Sequence, residues 1–298
     1  MKTNLVYRAI LKTLAYGDIF DYPLTPRQLY RFLISDKSVS FSLFNKVLSR
    51  MKANDKRIST NKKMFCFLGR EEIIEKRKKR ERLSRGKLKI AQRVAGWLKI
   101  IPWVKMVGAS GALAMENADK NDDIDLLIIT AKDRLWLTRL LVVFLVELVA
   151  KRRRPKDVDV ADKICLNMFL DEDHLALPKK ERDLFTAHEV CQLKLLWEKD
   201  GCYQRFLKAN LWVKKYLANS LDIKKLRDED IKGEKKNFLI SQFLNFLEVI
   251  AYKIQIAYMR SRRTSEIVEP YRIRFHPQDC RGWVIEEYKK RLEELKLE

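Results

Sequence analysis

No two of the five cysteines in this 298-residue chain form a C-x-x-C pair. Cys66, Cys165, Cys191, Cys202 and Cys280 are odd in number and widely spread. The three histidines, His174, His188 and His276, do not join them at metal-ligand spacing. That argues against a zinc site and against a disulfide framework. Reduced thiols in a cytoplasmic protein are the expectation. His188 falls in a helical pattern, where a hydrogen-bonded structural role is expected. Long apolar runs are also missing. The most apolar segment, Leu135 to Ala150, is 16 residues long and contains Arg139 and Glu147. A membrane-spanning helix needs about 20 apolar residues, so a buried helix packed on a sheet is expected instead. Lys151-Arg152-Arg153-Arg154 follows it, expected as a solvated turn, with phosphate contact as the alternative. The start MKTNLVYRAILKTLAYGD breaks its apolar residues with Arg8 and Lys12 and lacks a small-residue cleavage site, unlike a signal peptide. There is no fixed-period repeat and no low-complexity tract.

Acids are in short supply. Forty acidic residues stand against 62 basic ones, a net charge of +22. Such an excess suits polyanions: nucleic acid, nucleotides or an anionic membrane surface. It also fits a lysine-rich, solvated surface. The length suggests two or three domains, with ample material for a core.

The most informative stretch is VKMVGASGALAMENADKNDDIDLLIIT, residues 104–130. An apolar run, Val104 to Val107, enters a small-residue turn. A helix-compatible segment, a polar loop and a second apolar run follow. The second run begins with Asp123 and Asp125, separated by Ile124. In a strand, residues two apart share a face, which sets the two Cα atoms about 7 Å apart. Ile124 would enter the core. Two hard oxygen ligands at this spacing can share a magnesium ion, which prefers carboxylates plus phosphate oxygens. The turn at Gly108 to Gly111 would leave backbone N–H groups free at a helix start to cradle phosphate. The alternative is a solvated Asp-rich loop capping a buried strand.

This arrangement resembles the DNA polymerase β-type nucleotidyltransferase superfamily, whose pattern is a hydrophobic strand, Gly-Ser or Gly-Gly, a spacer, then Asp-hydrophobic-Asp. Gly111 matches the pattern's glycine, and Asp123 and Asp125 match its carboxylates. Ala112 stands where the pattern has Ser or Gly, with Ser110 nearby, and Glu116 stands where the spacer usually has Gly. The resemblance covers about a tenth of the chain. It implies Mg2+ held by Asp123 and Asp125, an NTP bound around Gly108, Ser110, Gly111 and Ala112, and a third carboxylate on a neighbouring strand. The expected strand, Lys163 to Leu170, has no acid. Asn167 is its polar mid-strand residue and the positional match, with Asp159 as a rival and Asp157 and Asp162 as weaker options.

The implied fold is α+β and mostly helical, in four parts. Residues 1–69 read as three helices and a β-hairpin, resembling a winged helix. Thr25-Pro26 would cap the second helix, and Leu43, Phe44, Val47 and Leu48 would stripe the third. In nucleic-acid-binding members of that fold, such a third helix meets the groove and the wing meets phosphates. Here Asn45, Lys46, Arg50, Lys62 and Lys63 would do so. Protein interaction is the other use of such a domain. Residues 70–102 read as one basic connector helix, with Gly86 as a point of interruption, and either a solvated face or a phosphate rail. Residues 103–175 form the small mixed-sheet nucleotidyltransferase-like core, with strands near 104–107, 124–129 and 164–170. Residues 176–298 read as helical to the end, with helices near 238–259 and 286–296.

Two functions remain open. One is a magnesium-dependent nucleotidyltransferase acting on a nucleic acid or protein. The other is a non-catalytic nucleic-acid-binding or regulatory protein that keeps the fold. The Asp pair favours the first; Ala112 and the acid-free strand favour the second.

Overall fold

A computed structural model describes residues 2–61, 63–155, 157–222, 238–260, 267–275 and 280–297. The N-terminal part contains α1 (Lys2–Asp18), α2 (Pro26–Arg31), α3 (Phe41–Asn54) and a hairpin of β1 (Ile58–Asn61) and β2 (Met64–Phe67). The Thr25-Pro26 signal acts as expected, and Ser40 adds a cap to the third helix. Thr25 caps α2 in a reciprocal box with Gln28, and Pro26 occupies the first turn, where a missing N–H costs nothing. Ser40 caps α3 by accepting from the Leu43 N–H. Val6, Ile10, Leu11, Leu29, Phe44, Val47 and Leu48 form the core of this part. Each large apolar side chain buried there contributes about 1.5–3 kcal/mol.

The connector is one unbroken helix, α4 (Glu72–Leu98), running straight through Gly86. Arg77 and Lys87, two of its basic residues, are buried. Arg77 donates to the Pro23 carbonyl, lies 2.9 Å from Glu81 and stacks over the Tyr22 ring at 4.2 Å. Lys87 donates to the Lys120 and Asp122 carbonyls at 3.1 and 2.7 Å and to Asp162 at 2.7 Å. The helix is therefore a bolt between parts as well as a basic face.

The centre is a six-stranded mixed sheet. Its members are β3 (Val104–Ala109), β4 (Ile124–Thr130), β5 (Ile164–Asp171), β6 (Lys194–Glu198), β7 (Ile267–Glu269) and β8 (Arg272–Arg274), in the order β6-β3-β4-β5-β8-β7. Only β4 and β5 run parallel; the other pairs are antiparallel. Their crossover carries α6 (Leu135–Val149), which buries Leu135, Trp136, Val142 and Val146 and leaves Leu140, Leu141, Phe144 and Leu148 exposed. α4, α6 and α9 (Phe238–Arg260) cover one sheet face. The other face packs against α7 (Leu184–Gln192) and α8 (Cys202–Ala209). α10 (Cys280–Glu294) leaves the sheet and returns to α1.

The region after Pro178 is not helical throughout: it supplies β6, β7 and β8. The helical spacing carried from Leu184 to Leu195 ends at Gln192. Leu195 belongs to a strand paired with Gly108. Short apolar runs do not distinguish strand from helix by periodicity; here the free edge of β3 decides. β8 is seated by Arg272, which is 2% exposed and donates to both Glu181 oxygens at 3.0 and 2.9 Å. The last helix starts at Cys280, earlier than expected. Among the described residues no helix is long and apolar enough to cross a membrane.

Candidate active site at the Asp123–Asp125 pair

Asp123 ends the loop before β4, Ile124 is fully buried beneath the sheet, and Asp125 points to the opposite face. The period-two alternation behaves as a strand demands. The turn that approaches the pair is built around Gly111. Its φ is +61°, and a Cβ at this position would sit 2.8 Å from Asp125 Oδ2. Only glycine avoids both the left-handed penalty and that collision. Ser110, in extended backbone, donates its N–H to the Asp125 carbonyl at 3.0 Å. Its side chain is buried and its hydroxyl has no hydrogen-bond partner among the described residues. Glu116 adopts φ +55°, so the spacer keeps a left-handed position where the resemblance expects Gly. Lys194 holds its carboxylate at 2.6 Å.

The strand register decides what stands beside the pair. β5 runs parallel to β4 and places Cys165 across from Asp125; an irregularity follows before Met168 meets Leu127. One ligand atom each from Asp123, Asp125 and Cys165 lie within 4.8 Å of one another. Asn167 lies two residues further along β5 than Cys165. It sits within the irregularity, buried, with Oδ1 lacking a partner among the described residues. Asp159 does not fold back: it is exposed, and its carboxylate accepts the Ala161 N–H at 3.1 Å within its own loop. Asp157 pairs with Lys163 at 2.8 Å and Asp162 with Lys87 at 2.7 Å. Gly108 is not part of a phosphate turn. It lies inside β3, paired on both sides, and a Cβ there would meet Leu193 at 3.0 Å. Ala112 is exposed at the start of α5 (Gly111–Ala114).

Two further residues belong to the site. Arg153, expected in a solvated turn, donates from Nη1 to Asp123 Oδ2 at 2.6 Å. It is placed by its N–H bond to the Ile164 carbonyl at 2.9 Å. Glu189 on α7 lies close enough for its charge to raise the Asp125 pKa. Burial raises Glu189 itself, and Arg274 opposes that rise. Burial first, then the charge of Asp123, pushes Asp125 up to about 7, with the Cys165 side chain partly opposing by hydrogen bond. Burial, followed by the charges of Asp125 and Asp123, drives the Cys165 thiol far up. The site is thus a crowded, partly desolvated set of acids with one paired arginine. Arg153 and Glu189 carry no local signal; only the positive and apolar patterns of their segments were readable.

The expected nucleic-acid residues divide. Lys46, Arg50 and Lys63 are exposed and Asn45 is half-buried, while Lys62 lies outside the described residues. A separate cavity of about 660 Å3 opens where α2, α4, the end of α5 and β6 meet. Arg27, Arg31, Arg77, Lys194 and Glu116 line it. His188 is structural: it stacks on Tyr16 at 4.0 Å, bonds Gln192 at 3.1 Å, and burial lowers its pKa to about 3.

Comparison of the chain with protein-family models, with curated proteins and with solved structures finds no match.

Proposed function

We propose that the protein is a nucleotidyltransferase that moves a nucleoside monophosphate from an NTP to an acceptor hydroxyl, with Asp123 and Asp125 as its central pair. One observation carries the reading: Gly111 is left-handed and pressed against the Asp125 carboxylate. A solvated loop has no need for such a turn, whereas a polyphosphate beside two carboxylates does. The two carboxylates suit a hard divalent ion such as Mg2+, which would neutralise phosphate charge when bound. The remaining steps fall to the chain. The Gly111 turn lets the backbone approach the phosphates. Arg153 offsets charge at Asp123. Glu189 is the acid available to take the acceptor's proton, because the one acid of β5, Asp171, pairs with Thr130 at the end of β4 away from Asp125. The basic surface and the lined cavity suit a polyanionic acceptor.

The second reading, a nucleotide-binding protein without turnover, is favoured by Cys165 standing beside the pair in place of an acid. Calorimetry with ATP or CTP plus a divalent ion, on wild type and on Asp123→Asn/Asp125→Asn, tests the site. Ion-dependent nucleotide binding lost in the variant is expected; equal binding by both refutes the assignment. Single-turnover incorporation of labelled nucleotide then separates the readings. Turnover that Glu189→Gln lowers by about 10²–10⁴-fold, the usual worth of general acid–base help, supports transfer. Bound nucleotide without turnover in wild type leaves the second reading.

A further inference from the structure

The third donor at the Asp pair is a thiol. Cys165 belongs to a strand forty residues downstream of Asp125, yet the parallel β4–β5 register sets it directly across. Its Sγ and one oxygen from each of Asp123 and Asp125 fall within 4.8 Å of one another. That is a converging set of donors, not a row of acids along a surface. A second observation points to a guest at the same place. Ser110 follows β3 directly, and its N–H bond to the Asp125 carbonyl makes the two cross-strand neighbours. The sheet alternation therefore puts the Ser110 side chain on the Asp125 face. It is 8% exposed, and its hydroxyl has no partner among the described residues. A buried, unpaired hydroxyl costs about 1–3 kcal/mol, which a bound ion's ligand shell or its water would relieve. The free side of the site is small: a Cβ added at Gly111 would already fall 2.8 Å from Asp125 Oδ2.

Magnesium suits the two carboxylates but not a thiol as the third donor. It demands near-octahedral oxygen ligands and sheds water reluctantly. A thiolate selects softer ions, and among divalent ones zinc accepts mixed sulfur and carboxylate ligands in four-coordinate sites. We propose that Asp123, Asp125 and Cys165 form a site for a thiophilic divalent cation of the zinc class, with the fourth position left for water or a phosphate oxygen. The ion enters as the thiol proton leaves to solvent. Arg153 competes for Asp123 and sets the affinity from outside. The proposal concerns the same residues as the transferase reading but does not need turnover, or even nucleotide, to be true.

The test uses Co2+ as a spectroscopic stand-in for Zn2+, added to the full-length, metal-free protein. A thiolate-to-cobalt charge-transfer band is expected, lost in Cys165→Ser and in Asp123→Asn/Asp125→Asn, and displaced by Zn2+ but not by equal Mg2+. Zn2+ affinity should fall at least about tenfold in Cys165→Ser, as a lost metal partner implies, and should rise in Arg153→Gln. Cys165→Asp should keep a divalent site but reverse the preference toward Mg2+, with far-ultraviolet dichroism showing that each variant folds. A band that survives in Cys165→Ser places cobalt on another cysteine and overturns the proposal. So does Mg2+ that displaces Co2+ at equal concentration, or a protein that binds no Co2+ at all. If Mg2+ with nucleotide binds while Co2+ shows no thiolate band, the transferase reading stands and this one falls. A Cys165-dependent band with no nucleotide binding gives the reverse.

Discussion

Asp125 is the residue where burial and charge act together. Its carboxyl sits at about 7, against an unfolded value near 3.9. Between those pH values the native state holds a proton that the unfolded chain has lost. Stability from this group is therefore full below about pH 4 and is lost as pH rises through 7. Each unit of separation corresponds to about 1.4 kcal/mol, so a few kcal/mol are at stake. Asp125→Asn should remove the dependence and leave the protein more stable than wild type at pH 8. Urea unfolding at pH 5, 6, 7 and 8 on both proteins measures it; parallel curves would contradict the assignment of the shift to Asp125. At this scale the sequence was informative about Asp123, Asp125 and Gly111, because alternation and a tight turn are local properties. Cys165, Arg153 and Glu189 were not legible, because each gains meaning only from a partner more than twenty residues away.

Among the elements, the β3–α5 turn has the narrowest tolerance. Gly111→Ala must adopt φ +61° and push against Asp125 Oδ2. The left-handed backbone alone costs about 1–2 kcal/mol. Gly86 supplies the contrast: it lies mid-helix in α4 with open space around its Cα. Gly86→Ala should stabilise by about 0.5–1 kcal/mol. Urea denaturation of the two variants should move midpoints in opposite directions, and nucleotide binding should suffer only in Gly111→Ala. Matching shifts in both would mean that the turn is not strained. Elements with their own cap, stripe or charge run, such as α2, α3 and α4, were readable along the chain. β6, β7 and β8 were not, since short strands exist only because an edge of the sheet is there to receive them.

At the scale of the whole molecule the charge is unevenly spent. Arg77 and Lys87 are buried as ties, but Lys79, Arg82, Arg85, Lys89 and Arg93 remain exposed along α4 at helical spacing. Such a stripe binds phosphates without choosing sequence. Nucleic-acid affinity of the full chain should fall linearly with log salt, by about 0.9 per phosphate contact on duplex DNA. Replacing Arg82, Arg85 and Lys89 with Glu should lower that slope by two to three of those increments, ~2–3 in all. Replacing Lys46 and Arg50 instead tests α3. A flat salt response by fluorescence anisotropy, or an unchanged slope in both variants, would remove nucleic acid as a partner.

The sequence by itself determined the local frame: a capped second helix, a basic helical connector, and an Asp pair on one face of a strand after a glycine turn. These follow from spacing and from backbone preferences that act over a few residues. Tertiary structure alone decided which strand lies beside β4, and therefore that Cys165 stands across from Asp125 while Asp159 stays in its own loop. It also decided that Arg153 meets Asp123 and that α10 returns to α1. Strand register and helix docking depend on burying apolar surface between distant segments, and that energy has no signature within either segment alone.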